Sequence, residues 1–185
     1  MKKTPFLFIV PLLLAAGNNK AQTMNSVRFS AERVSKTATI TVNGTIEQVF
    51  ILFGAFEERK WANGWNPELI FPATETMGEG TTFRTRGHGH GEAAFLWIVS
   101  KYEIEKHLVQ YLVSTENRYW TITIQCTPGA GNKTLATVTY TFTGLNESGN
   151  EINHHSLAAM YHENLADWQE EINYYLANGK LKLRE

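Results

Sequence analysis

Two of the six histidines, His88 and His90, stand two positions apart between glycines, and histidine is the residue best suited to metal binding and proton transfer near neutral pH. Two imidazoles at this spacing could share a metal ion. A protein zinc site needs a third ligand in a firmly held position, and the glycine-rich run 87–91 offers none. The pattern therefore favours an exposed hairpin tip, and we expect no metal site and no cofactor.

A second group of histidines opens the last helical segment. His155 and His162 are seven positions apart, about 10.5 Å along a helix axis, which is too far to chelate one ion. His154 precedes Tyr161 by the same step, and this places it on the apolar stripe of the helix, where it could serve as an acid, a base or a hydrogen-bonding group for a ligand. A partly exposed histidine at a helix end is the alternative, and the sequence favours it.

Other reactive side chains give little sign of a catalytic site. Glu58 and Glu92 are candidate polar groups near a pocket entrance, although a solvated surface position is the default for both. Cys126 lies in a strand with no evident His or Asp partner in register, which is typical of a buried, inert thiol. The sequence contains no phosphate loop, nucleophile elbow or metalloprotease motif, so we assign no catalytic residue.

Aromatic residues are plentiful, with five Trp, seven Tyr and ten Phe, and such side chains either fill a core or line a cavity. Trp61 and Trp65 flank a helix end, where they could cover a ligand or pin helices to a sheet. Phe95 and Trp97 lie in a strand that is apolar on both faces. The candidate cavity residues are Trp61, Trp65, Phe95, Trp97, His154, Ala158, Tyr161 and Leu165.

The predicted elements supply a frame for these residues. Alternation of apolar residues with threonines predicts a strand over Val34–Val42. A capping box at Thr45–Gln48 begins a short helix, and a second short helix is predicted over residues 55–62. Six strands with short, polar connections follow over residues 68–142, and such connections make neighbouring strands antiparallel. Residues 151–178 have the periodicity of one long helix. We expect the first half of this helix to face a pocket and the second half to be plain core.

This order predicts an α+β fold. A curved antiparallel sheet of about seven strands carries two short helices after strand 1 and a long C-terminal helix. The first strand is separated from the others by the helix pair, so its partner in the sheet must be distant in sequence. With 185 residues, the chain suits one domain.

The N-terminal 22 residues have the features of an export signal. Lys2 and Lys3 precede an apolar run of eleven residues, which is too short to cross a bilayer, and small residues follow. Cleavage after Gly17 or Gln22 would give a periplasmic or secreted protein without a stable membrane anchor. If Met24 is the true start, the protein is cytoplasmic. We divide the chain into a signal peptide (1–22), a linker (23–32), a domain (33–180) and a tail (181–185).

Charge argues against one class of partner. The chain has 17 basic and 18 acidic residues, and no segment has a run of Lys or Arg. Binding to nucleic acid requires clustered positive charge to neutralise phosphates. We therefore expect no nucleic-acid partner, and the sequence does not define an oligomeric state.

Four stretches of the sequence together resemble one known superfamily. They are Thr45–Phe50, Glu58–Pro67 with its Trp61-x-x-Gly64-Trp65 motif, Gly80–Thr85 and Trp168–Leu176. The superfamily is the START-like one, also called SRPBCC, which includes polyketide cyclase-like and lipid-transfer-like proteins, and the chain is most similar to a bacterial branch of it without assigned activity. The resemblance spans nearly all of residues 33–180. It implies the helix-grip fold, with a cavity between the sheet and the long helix, and it implies no catalytic motif.

Three functions remain open from the sequence. The favoured one is a non-catalytic binding protein for a small apolar or aromatic molecule. The second is a cyclase- or hydrolase-type enzyme that uses His154 and Glu58 as acid and base, and it requires these two groups to converge in one pocket. The third is an interaction module whose aromatic residues form a surface patch.

Overall fold

A computed structural model describes residues 28–87 and 91–183 of the chain. The predicted signal peptide and the pair His88 and His90 lie outside these residues. Within them, no helix is both long enough and apolar enough to cross a bilayer. The elements in chain order are β1 (Arg33–Asn43), α1 (Ile46–Ile51), a 3₁₀ helix (Glu57–Lys60), β2 (Glu68–Phe71), β3 (Thr82–Arg86), β4 (Ala94–Glu103), a 3₁₀ helix (Ile104–Lys106), β5 (Leu108–Ser114), β6 (Arg118–Pro128), β7 (Lys133–Gly144), α2 (Glu147–Met160) and α3 (Ala166–Asn178).

The seven strands form one antiparallel sheet in the order β1-β7-β6-β5-β4-β3-β2. The expected distant partner of the first strand is β7, and the two pair from Arg33 opposite Thr143 to Asn43 opposite Lys133. Alternate residues of the central strands are buried, so the sheet has one inner, apolar face. The predicted α+β helix-grip fold is confirmed.

The helices that follow β1 begin as the sequence predicts. The Thr45 hydroxyl accepts a hydrogen bond from the Gln48 backbone, and the Gln48 side chain accepts one from the Thr45 backbone, which completes the capping box. The second short helix is a single 3₁₀ turn, shorter than the predicted span of residues 55–62.

The prediction of one continuous helix over residues 151–178 is wrong. The structure has two helices, α2 and α3, and the chain turns between them with Asn164 and Leu165 at φ values of 51° and 61°. These left-handed conformations interrupt the α-helical hydrogen-bond pattern, and Asn is among the residues that adopt them most readily. The Tyr161 hydroxyl fastens the turn to the sheet, since it donates to the Val138 carbonyl and accepts from the Tyr140 backbone N–H.

Helix α3 also covers part of the free edge of the sheet. The backbone N–H of Thr41 donates to the Gln169 side chain at 2.7 Å, and that of Asn43 donates to the Asn173 side chain at 2.7 Å. The Asn173 amide donates in turn to the Thr41 carbonyl. Edge strands expose unpaired backbone groups, so these polar side chains both protect β1 and hold the start of α3 over the inner face of the sheet.

Candidate functional site

A cavity of about 270 Å³ lies between the inner face of the sheet, the start of α3 and the segment that follows α1. Four tryptophans, two tyrosines and three carboxylic acids contribute to its walls. The lining residues are Glu58, Trp61, Ala62, Asn63, Trp65, Trp97, Tyr111, Ile122, Ile124, Tyr140, Asp167, Trp168 and Glu171.

Three aromatic hydrogen-bond donors hold the segment after α1 in place. The indole N–H of Trp61 donates to the Leu52 carbonyl at 2.7 Å, and that of Trp65 donates to the Ala55 carbonyl at 2.6 Å. From the sheet, the Tyr111 hydroxyl donates to the Phe53 carbonyl at 2.6 Å. Carbonyl groups at a helix end lack intrahelical partners, and here the aromatic residues of the cavity wall supply them. The wall and its polar residues are therefore rigidly positioned.

Glu58 is the most unusual group in this wall. Its side chain is only 8% exposed, and it has no hydrogen bond or ion pair with any residue that the structure describes. Burial raises the pKa of this carboxyl group well above its ordinary value, because a charge is costly in an apolar environment. In the empty cavity, Glu58 therefore tends to keep its proton at pH values where an exposed glutamate would be ionised.

This behaviour predicts a pH-dependent cost in stability. In the unfolded chain Glu58 ionises above pH 4.5, whereas burial in the folded state opposes ionisation. The free energy of unfolding is therefore highest below pH 4.5 with respect to this group, and it falls as pH rises from 4.5 toward the higher pKa of the folded state. We expect Glu58→Gln to stabilise the protein by about 1 kcal/mol or more at pH 8 and to have little effect near pH 4. Urea unfolding over this pH range measures the difference.

Glu163→Gln is the matched control, because Glu163 is exposed and does not line the cavity. This variant should follow the wild-type protein at every pH. If Glu58→Gln instead destabilises the protein at pH 8, Glu58 is ionised and paired in the native state, and the interpretation of an unpartnered carboxyl group is wrong.

Two phenols and two further carboxylates surround Glu58. Burial, and after it the nearby Glu58 carboxyl group, raise the pKa values of Tyr111 and Tyr140, so both hydroxyls stay protonated. The Tyr140 hydroxyl has no hydrogen-bond acceptor among the described residues. Asp167 and Glu171 lie four positions apart on α3 and therefore share one face of that helix. Within the described part of the chain, no group of three His, Cys, Asp or Glu side chains could hold a metal ion.

A wider groove of about 1250 Å³ runs beside β3 and β4 and adjoins the cavity. Its walls include Arg84, Arg86 and Ala94, and it shares Ala62, Asn63, Trp65 and Trp97 with the cavity. The shared residues stand where the two spaces meet, so the groove provides a route by which a molecule from solvent reaches the cavity.

Four of the predicted site residues line the cavity: Glu58, Trp61, Trp65 and Trp97. Trp61 and Trp65 pin the local chain through their indole bonds, and they also form part of the cavity wall. The Trp97 indole donates to the Thr85 hydroxyl and packs edge-on against Trp65, with ring centroids 5.2 Å apart.

His154 and Ala158 do not reach the cavity. Both are exposed, and His154 pairs with Glu32 at 2.8 Å on the surface. The buried stripe of α2 consists of Gly149, Ile152, Asn153 and Leu157. The buried face of α2 lies one position earlier than the predicted apolar stripe: Asn153 and Leu157 are buried in place of His154 and Ala158.

The remaining aromatic and aliphatic candidates are core residues. Phe95 is buried edge-on against Trp120, with ring centroids 5.3 Å apart. Tyr161 and Leu165 are buried at the turn between α2 and α3. Cys126 is buried in the same core, and burial raises the pKa of its thiol to about 12, so it stays protonated at neutral pH.

Glu92 is neither solvated nor near the cavity. Its carboxylate accepts two hydrogen bonds from Arg118, at 2.9 and 2.6 Å, and both side chains are buried. Arg118 also donates to the Ser156 hydroxyl of α2 at 2.9 Å. This ion pair is a structural link between the sheet and α2, and the default expectation of a solvated Glu92 is wrong.

Several wall residues were not among the predicted set, and the most informative are Asp167, Trp168 and Glu171. They lie in the half of the C-terminal helical region that was expected to be plain core. The turn at residues 161–165 changes which face of α3 meets the sheet, and periodicity across an unbroken helix cannot reveal that change. The other wall residues that were missed lie on strands: Tyr111, Ile122, Ile124 and Tyr140. Every buried strand shows the same alternation of inward and outward residues, so this pattern cannot distinguish residues of the cavity wall from residues of the core.

No protein-family model matches this sequence, and no curated protein matches it. Solved structures do match. Norcoclaurine synthase from Thalictrum flavum, in complex with dopamine and hydroxybenzaldehyde, aligns with a TM-score of 0.60 at 13% identity, covering 97% of this chain and 100% of that one. The ZhuI aromatase/cyclase from Streptomyces sp. R1128 aligns at 0.60 with 11% identity, covering 80% and 98%.

Ara h 8.0201 also aligns, with a TM-score of 0.59 at 12% identity, covering 80% of this chain and 100% of that one. At these identities the likeness concerns the fold. The chain has the START-like, or SRPBCC-type, helix-grip fold, as the sequence resemblance implied.

Proposed function

From the START-like fold and the cavity it encloses, we propose that this chain is a binding protein for a small apolar or aromatic organic molecule. The observation that carries the proposal is the aromatic cavity of about 270 Å³ between the sheet and α3. This volume lies just below the range of typical small-molecule sites, roughly 300–1,000 Å³, so it suits a molecule of one or two rings. Norcoclaurine synthase, which has the same fold, holds two small aromatic molecules in its solved complex.

The rigidity of the wall supports binding in a preformed site. Trp61, Trp65 and Tyr111 each use their polar atom to hold the protein backbone, so their rings present mostly apolar surface to a ligand. A site whose side chains are already fixed loses little conformational entropy when a ligand enters. The cavity is therefore suited to selective binding of one molecular shape.

The acid–base pair that the enzyme alternative requires, His154 and Glu58, does not come together in one pocket. His154 is exposed and pairs with Glu32, whereas Glu58 faces the cavity. A proton relay between His154 and Glu58 would need the two groups within hydrogen-bond reach of one substrate. The proposal therefore stays with a binding protein.

Export of the mature protein is the second part of the proposal. Its support is the sequence of residues 1–22, where a basic start, an apolar run of eleven residues and small residues follow in the order of a signal peptide. The mature chain would bind its ligand in the periplasm or outside the cell.

One experiment tests both parts. The full sequence is expressed in a bacterial host, the periplasmic fraction is purified, and its native mass is compared with its mass after denaturation in organic solvent. We expect a chain shortened by 17 or 22 residues, together with a bound molecule that denaturation releases. An uncut chain in the cytoplasm would contradict export. A consistently empty protein that also binds no small aromatic probe would contradict the binding function.

A further inference from the structure

The walls of the cavity combine carboxyl groups with aromatic surface. Glu58 stands on the segment after α1, and Asp167 and Glu171 stand on the first two turns of α3. Among the lining residues that the structure describes, none is Lys, Arg or His. A cation in the cavity stabilises the ionised form of these carboxyl groups, including Glu58, whereas an anion opposes it, so the cavity favours a positively charged guest.

The tryptophans strengthen this preference. Trp61 and Trp168 lie 5.5 Å apart between ring centroids, and Trp65 and Trp97 lie 5.2 Å apart, so two pairs of indoles form much of the wall. Indole is the aromatic ring that attracts cations most strongly, and grouped aromatic rings form the usual cage for ammonium groups. The indole N–H groups of Trp61, Trp65 and Trp97 are already bonded to protein oxygens, so they do not compete as donors to a ligand.

Glu58 supplies the directional partner. It is 8% exposed and lines the cavity, and the described structure gives its carboxyl group no partner. A buried polar group of this kind is costly unless something satisfies it, and an N–H donor with positive charge forms the strongest hydrogen bond that a carboxylate can accept. A cation beside Glu58 also favours its ionised form, which offsets the effect of burial in the empty cavity.

We infer that the ligand of this cavity is a small aromatic amine, whose ammonium group pairs with Glu58 and whose ring packs among the tryptophans. This inference rests on the proposed binding function and names the chemical class of its ligand. The aromatic surface around Glu58 suits an organic cation, because indole rings attract ammonium groups.

Three probes of similar size separate the contribution of charge from that of apolar contact. Calorimetric titration at pH 7 compares 2-phenylethylamine, 2-phenylethanol and phenylacetate on the mature chain. We expect the amine to bind about tenfold to a hundredfold more tightly than the alcohol, because a hydrogen bond between charged groups contributes on the order of 1.5–3 kcal/mol, and we expect phenylacetate to bind most weakly.

Glu58→Gln should remove most of the preference for the amine, measured as the ratio of the amine's affinity to that of the alcohol. Glu163→Gln, an exposed control, should keep the full preference. Equal binding of amine and alcohol, or an amine preference that survives Glu58→Gln, overturns the assignment of an amine and leaves the binding function intact. Failure of all three probes to bind overturns this inference, and it contradicts the binding function as well if the purified protein also carries no bound molecule.

Discussion

Replacing Arg118 with methionine is expected to lower the free energy of unfolding by about 3–5 kcal/mol, the usual cost of removing one partner of a buried ion pair. The Arg118 guanidinium donates to both oxygens of Glu92, and neither side chain is more than 5% exposed. Without it, the Glu92 carboxylate is left buried with an unbalanced charge. The guanidinium also stands over the Trp120 ring at 4.9 Å and bonds to Ser156, so the variant loses these contacts too. Equilibrium unfolding in urea measures the loss.

Two further variants isolate the contribution of burial. Arg84 pairs with Glu68 at 3.3 Å on the surface, where both side chains are more than half exposed, so Arg84→Met should cost no more than about 1 kcal/mol. The double variant Arg118→Met with Glu92→Leu should recover much of the lost stability, because apolar residues that pack well often replace a buried ion pair without cost. A loss below about 1 kcal/mol for Arg118→Met alone would show that Glu92 readily finds another partner or solvent.

The strands could be predicted because each shows either a simple alternation of apolar and polar residues or a continuous apolar run. In β1, the residues Ala38, Ile40 and Val42 face the core while the threonines between them face outward, and this pattern depends on local sequence alone. Short polar connections then settle the antiparallel pairing of β3 to β7. For β1 the sequence predicted only that its partner is distant, since the helix pair separates it from the other strands, and the structure identifies that partner as β7.

The C-terminal helices could not be predicted in the same way. The turn at Asn164 and Leu165 has no proline or glycine to announce it, and what fixes it is the tertiary bond from Tyr161 to the backbone of β7. Because of this turn, the residues of α3 that face the sheet cannot be found by continuing the periodicity of α2. Trp168 therefore enters the cavity, whereas His154 lies on the surface.

The site itself could be predicted only in part, through three of its tryptophans and Glu58. The motif that includes Trp61 and Trp65 suggested either a ligand cover or a pinned helix end, and the structure shows the pinned chain together with a place in the cavity wall. The burial of Glu58 had no sequence signal, because a single 3₁₀ turn has no periodicity from which an inner face can be read. The indole bonds of Trp61 and Trp65 fold this segment back on the chain before it, and the Tyr111 hydroxyl holds that chain against the sheet, which buries Glu58.

Ala62 offers the most direct way to test whether the cavity is the binding site. It is partly buried, it lines both the cavity and the outer groove, and it stands between Trp61 and Trp65 in a segment already fixed by hydrogen bonds. A large side chain at this position would occupy the junction of the two spaces. The cost of overpacking should be small, because the added atoms enter space that the protein does not fill.

We expect Ala62→Trp to weaken binding of the neutral probe 2-phenylethanol by about a hundredfold or more, which corresponds to about 3 kcal/mol of binding free energy. Ala94→Trp is the matched control, because Ala94 is exposed and lines the groove but not the cavity, and this variant should bind within about threefold of the wild-type protein. Calorimetric titration and thermal unfolding of both variants separate lost binding from lost folding. If Ala94→Trp is the variant that loses affinity, the ligand sits in the outer groove. Because a neutral probe is used, the result tests the location of the site independently of the charge of its natural ligand.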